Sequence, residues 1–197
     1  MRESWNIQEI ANLGPDFMGF IFYKSSKRFV GGLEPETLHA IPKTISKVGV
    51  FVNEDVEFIA KQVKKYDLDY AQLHGDESPQ LAKKLADKSI RVIKVIHIAN
   101  ELPEDRINEF EDTVSFFLLD TSSPNYGGTG MKFDWAVLKD YKSPKQFMLS
   151  GGINSSDLDR ILSLNHPGLM GIDVNSKFEI SPGIKDVEKL KDLRNQI

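Results

Sequence analysis

One pattern runs through the whole chain: short apolar runs alternate with amphipathic stretches. The runs are FMGFIFY (17–23), KVGVFV (47–52), YAQLH (70–74), RVIKVIHI (91–98), SFFLLD (115–120), QFMLS (146–150) and LMGIDV (169–174). Several are apolar at consecutive positions. That fits strands covered on both faces, as in a parallel sheet beneath helices. Between them, DVEFIAKQVKKY (55–66) places Val56, Ile59, Ala60 and Val63 on one face. SPQLAKKLAD (78–87) has Pro79 directly after a Ser78 cap. SSDLDRILSL (155–164) and KDVEKLKDLRNQI (185–197) repeat the helical spacing, and weaker helices fit 34–41, 103–111 and 134–141. Alternation of this kind predicts a parallel sheet with right-handed crossovers. The spacing is even and no Gly/Ser-rich linker divides the chain, so residues 1–197 read as one domain. Two architectures compete: an open doubly wound sheet, and a β/α barrel with eight strands, each followed by a helix.

The helix count fits the barrel, but the strand count is one short, and the deficit is at the N-terminus. The chain opens MRESWNIQEIANLGPDF, where Trp5, Ile7, Ile10, Ala11 and Leu13 follow helical spacing and Gly14-Pro15 ends it. The first element is therefore a helix with no strand before it. At 197 residues the chain is also near the ~200-residue lower bound of such barrels.

Composition narrows the function classes. A hydrophobic fraction of 40% and a charged fraction of 27% are ordinary for a globular domain. A net charge of −4 leaves no footprint for nucleic acid or an anionic membrane. No apolar run approaches the ~20 residues of a membrane span, and no signal-peptide layout opens the chain. Cys is absent, which excludes disulfides and thiolate metal sites. The expectation is a cytoplasmic protein without metal or cofactor.

In a barrel, function sits where strands end. After 17–23 comes KSSKRF, with Lys24, Lys27 and Arg28. It is either a solvated basic loop or an anion site, with Arg28 forking onto a carboxylate or phosphate. His74 ends 70–74; with no second ligand at metal spacing it reads as a structural histidine. Asp120 ends an apolar strand, where desolvation would raise its pKa toward that of a general acid; an Asp capping the next turn is the alternative. Gly127, Gly128 and Gly130 follow it. Gly151-Gly152 and Asn175-Ser176 follow the last two runs, where a barrel usually cradles phosphate on backbone N–H groups.

These stretches, taken together, resemble the phosphoribosylanthranilate isomerases, the β/α barrels of tryptophan biosynthesis. GFIFYKSSKRFV, KVGVFVNE, AQLHGDE, FFLLDTSSPNYGGTGMKFDW, LSGGIN and IDVNSKFEISPGIKD occur in that family's order and cover almost the whole chain. The resemblance implies a (β/α)8 TIM barrel and a cofactor-free Amadori rearrangement. N-(5-phosphoribosyl)anthranilate becomes 1-(2-carboxyphenylamino)-1-deoxyribulose 5-phosphate. It implies that Asp120 is the general acid, that Arg28 holds the anthranilate carboxylate, and that the phosphate lies among Gly128, Gly130, Gly151, Gly152, Asn175 and Ser176. Lys177 stands where many members have Gly, which weakens the case for Ser176. The family's base is a Cys ending the first strand, in a Cys-Gly pair, and Met1 falls just after that point. The resemblance therefore implies that strand one and the base lie upstream of Met1. It also implies that the 197 residues bind phosphate with activity close to background, with self-association through the exposed strand edges as one outcome. Two other readings compete. One is a non-catalytic phosphate-binding barrel remnant. The other is a neighbouring phosphosugar barrel such as indole-glycerol-phosphate synthase, which uses Lys and Glu at strand ends; Lys94, within the 91–98 run, is its candidate, and the LLDT–YGGTG block argues against it.

Overall fold

The computed structural model describes residues 1–121 and 133–197. Its framework is a seven-stranded, all-parallel sheet in sequence order. The strands are β1 (Phe17–Ile21), β2 (Ser46–Phe51), β3 (Tyr70–Leu73), β4 (Arg91–Ile98), β5 (Phe116–Thr121), β6 (Phe147–Leu149) and β7 (Leu169–Ile172). Helix α1 (Ser4–Asn12) precedes them, and α2 (Pro35–His39), α3 (Val56–Tyr66), α4 (Pro79–Asp87), α5 (Glu104–Phe110), α6 (Leu158–Ser163) and α7 (Val187–Arg194) fall between and after them. Local chemistry sets the ends of several. Gly14 takes φ +66° just beyond α1, a conformation that suits glycine. Asp55 and Ser78 accept the backbone N–H of Phe58 and Leu81 as N-caps of α3 and α4.

The sheet is curled into the barrel form. Phe17 of β1 packs its ring 5.7 Å from Phe116 of β5 and 5.8 Å from Tyr70 of β3. In a flat sheet, strands four positions apart would be separated by about 19 Å, at the usual ~4.8 Å spacing. Strand parity then divides the core into two layers. Val48, Ile93, Val95, Phe116 and Leu118, with Phe17, Tyr70 and Met148, fill the interior. The opposite parity, including Phe51, Leu73, Val92, Ile96, Phe117, Leu119, Phe147 and Leu149, packs under the helices. This is why the strands read as continuous apolar runs.

Two elements differ from the sequence reading. The stretch expected as a helix over 134–141 is a 3-10 helix, Trp135–Asp140. Its buried residues, Trp135 and Leu138, are three apart, and a three-residue repeat aligns them on one face. A short antiparallel hairpin, β8 (Glu179–Ser181) with β9 (Ile184–Lys185), follows β7. Its turn is Pro182-Gly183, with Gly183 at φ +86°. At the other end of the chain, the Met1 amine donates to Gly19 O (3.2 Å), so the first residue lies against β1.

Candidate active site

The interior parity turns polar at the strands' C-terminal ends. Above Tyr70 come Gln72 and His74; above Val95 comes His97; above Leu118 comes Asp120; above Met148 comes Ser150. Asp173 follows β7 and accepts from Ser150 Oγ at 3.1 Å. An apolar floor with a polar rim is the layout of a barrel active site.

Asp120 is the rim's central acid. Its Oδ1 accepts the Thr121 N–H at 2.8 Å. Its Oδ2 faces His74 Nε2 at 3.7 Å, beyond hydrogen-bond range. Burial, then the charge of Asp173, lifts the Asp120 carboxyl to about 7, and the Thr121 N–H only partly offsets this. Because Oδ1 is already occupied as an acceptor, the retained proton belongs on Oδ2, which accepts no hydrogen bond from the described residues. His74 does not compete for it. Burial first, then the charges of His97 and Lys94, push the imidazole down to about 3, so it is neutral at pH 7.

Asp173 is itself raised by burial, against the opposing Lys185 charge and the Ser150 hydroxyl. Removing its charge should therefore ease the ionisation of Asp120. Asp173→Asn is expected to lower the Asp120 titration midpoint, read by carboxyl-carbon NMR. An unchanged midpoint would show that burial alone sets it.

Gly151 (φ +94°) and Gly152 (φ +69°) form the turn after β6. A Cβ on Gly151 would lie 2.8 Å from Asp120 Oδ1 and collide with the Thr121 hydroxyl. Gly151 is therefore tied to Asp120 as well as lying on the expected phosphate side. The next turn begins at Ser155, where Asn154 and Asp157 form a reciprocal capping box. Asn175 and Ser176 follow the adjacent strand, and Asn175 Oδ1 accepts from Lys185 Nζ at 2.6 Å. Lys177 is exposed beside them. Gly128 and Gly130, together with Gly127, lie outside the described residues.

Arg28 sits in the loop after β1 and is half-buried, whereas Lys24 and Lys27 are exposed. The loop is pinned by the Arg28 N–H on Ser26 Oγ and by a bridge between Ile21 and Phe29. The Arg28 guanidinium forks onto Glu179 of the hairpin, with Nε 2.9 Å from both oxygens and Nη2 2.7 Å from Oε2. Lys94 lies on the other face of its strand. It donates to Leu73 O, Gly75 O and Glu77, over the Phe110 ring of α5. That placement removes it from the rim and removes the support for the synthase-like reading.

Comparison with known proteins fits this geometry. The family model for N-(5'-phosphoribosyl)anthranilate isomerase matches residues 1–196. The chain belongs to that family. It is 44% identical over 199 residues to the N-(5'-phosphoribosyl)anthranilate isomerase of Parabacteroides distasonis, covering 100% of this chain and 90% of the relative. The Phocaeicola vulgatus enzyme is 39% identical, with 100% and 94% covered. Among solved structures, the Thermotoga maritima phosphoribosyl anthranilate isomerase superposes with a TM-score of 0.85 at 32% identity, over 100% of this chain and 94% of that one. Another isomerase was solved with reduced 1-(o-carboxyphenylamino)-1-deoxyribulose 5-phosphate; its TM-score is 0.83 at 30% identity, with the same coverage. The β/α-barrel class follows from these likenesses and from the curled parallel sheet.

Asp173, Glu179 and Lys185 escaped the sequence reading as site residues. Asp173 carried a usable signal: it ends the apolar LMGID just as Asp120 ends SFFLLD. Glu179 and Lys185 carried none, because their meeting with Arg28 spans about 150 residues of sequence.

Proposed function

We propose that the rim isomerises N-(5'-phosphoribosyl)anthranilate by an Amadori rearrangement. The observation that carries this reading is Asp120, a carboxyl that burial lifts to about 7, with Oδ1 accepting the Thr121 N–H and Oδ2 left to carry the proton. Asp120 Oδ2 donates that proton to the ribose ring oxygen as the C1–O bond breaks. The anilino nitrogen's lone pair supplies the electrons, giving an open-chain iminium. A base then removes the proton from C2, and the resulting enolamine tautomerises to the ketose. No external oxidant or reductant is needed. The family's base is a thiolate, and the 197 residues contain no cysteine. Arg28 holds the aromatic carboxylate. The turns at Gly151-Gly152 and Asn175-Ser176, with Gly128 and Gly130, receive the phosphate.

The test compares the 197-residue chain with the same chain preceded by a strand ending in Cys-Gly. Chromatography would follow aldose-to-ketose conversion. Turnover is expected in the cysteine-bearing form, with background conversion in the 197 residues. Arg28→Ala should weaken binding of the reduced product analogue and leave inorganic phosphate binding nearly unchanged. Equal loss of both would place Arg28 at the phosphate and reverse the substrate. A cysteine-bearing form without turnover would defeat the functional reading.

A further inference from the structure

A guanidinium offers two carboxylate-sized edges: the side-on edge of Nε–H with one Nη2–H, and the end-on edge of Nη1–H with the other Nη2–H. Glu179 fills the side-on edge of Arg28 through contacts of 2.7–2.9 Å. The end-on edge has no acceptor among the described residues.

Glu179 is itself immobilised. Its side chain is 4% exposed, against 22% for Arg28. Oε1 also accepts the Gly183 N–H at 3.2 Å and Lys185 Nζ at 3.3 Å. Lys185 is fixed in turn, because its backbone N–H and carbonyl both bond the buried Asn6 side chain of α1, at 2.7 and 2.9 Å. Burial pushes the Glu179 carboxyl up, but the Arg28 hydrogen bond and the Lys185 charge outweigh it, so the group stays ionised at neutral pH. The hairpin therefore holds a fixed anion against a side chain that would otherwise sample many rotamers.

We propose that Glu179 is a positioning residue for substrate recognition. It clamps the side-on edge of Arg28, so that the end-on edge is presented, already oriented, to the substrate's aromatic carboxylate. This rests on the reading of Arg28 as the carboxylate contact. Preorganisation of this kind raises affinity by removing the ordering cost from the binding step.

The experiment measures binding to the 197-residue chain by calorimetry with three probes: the reduced 1-(o-carboxyphenylamino)-1-deoxyribulose 5-phosphate, its phenylamino counterpart without the carboxylate, and inorganic phosphate. The parent should prefer the carboxylated analogue. Glu179→Gln should lose about tenfold to hundredfold of that preference, the range of a charge-assisted hydrogen bond. Phosphate affinity should stay unchanged, which also reports a folded site. Glu179→Asp keeps the charge but falls one methylene short, and should lose the preference too. Within Arg28→Ala, adding Glu179→Gln should change nothing more. The proposal is overturned if Glu179→Gln keeps the preference, if it binds the carboxylated analogue more tightly, as a competitor's removal would cause, or if phosphate binding is lost with it. A parent that does not distinguish the analogues, or an Arg28→Ala variant that still does, defeats the Arg28 reading instead.

Discussion

Asp120→Asn, in the cysteine-bearing form, should lower turnover by ~10²–10⁴, the usual weight of a positioned general acid. The amide keeps the shape and the acceptor for the Thr121 N–H, but it has no acidic proton to give the ring oxygen. Affinity for the reduced product analogue should change far less. The same variant should be more stable than its parent, and pH gives the sign. The folded carboxyl titrates at about 7, against an ordinary 3.8. Between those values the folded state holds a proton that the unfolded chain has released. Stability therefore falls as pH rises through this window, and the full penalty remains above about 7. At ~1.36 kcal/mol per pH unit, the rise corresponds to a penalty of up to about 4 kcal/mol. Asp120→Asn escapes it. Urea melts at pH 8 should favour the variant, and the advantage should vanish near pH 4. Equal stability at pH 8 would mean that the folded carboxyl titrates near its ordinary value, too low for Asp120 to serve as the acid.

The alternation of apolar runs and amphipathic stretches made the parallel sheet legible. All seven runs became strands, because a strand covered on both faces must be apolar at consecutive positions. Residues 134–141 could not be typed further. Trp135 and Leu138 fit either an α or a 3-10 turn, and only their burial on a three-residue repeat decides. The hairpin was hidden for a different reason. Its strands are two and three residues long, too short for any period to show.

The rim divides in the same way. Asp120 is visible because an acid that ends an apolar strand is anomalous where it stands. Glu179 is unremarkable in sequence, and its importance comes from the partner that the fold brings to it. Lys94 shows the opposite error. A lysine inside an apolar strand looks like a catalytic group, but its parity matches Val92 and Ile96, so it belongs to the layer under the helices.

That placement gives Lys94 its own large effect. Its side chain and that of Glu77 are each 1% exposed and lie 3.0 Å apart. Lys94 Nζ also donates to Leu73 O at 3.0 Å and Gly75 O at 2.6 Å. The Glu77 carboxylate additionally accepts the N–H groups of Asn53 and Gly75. One ion pair thus ties the loops after β2 and β3 to the middle of β4, with Lys94 bonded to the carbonyls on either side of His74. Lys94→Met keeps the volume and the apolar stem but strands the buried Glu77 charge and two carbonyls. Removing one partner of such a pair costs about 3–5 kcal/mol, because the remaining charge stays desolvated. Lys94→Met should lose that much in a urea melt at pH 7. Adding Glu77→Gln should recover part of it, since the neutral amide oxygen can still accept the Asn53 and Gly75 N–H groups without a buried charge. A single variant as stable as its parent would show that solvent reaches Glu77, and the account of this pair as a dry brace would fail. If Lys94 were instead a working group of the active site, the single variant would lose turnover while keeping its stability.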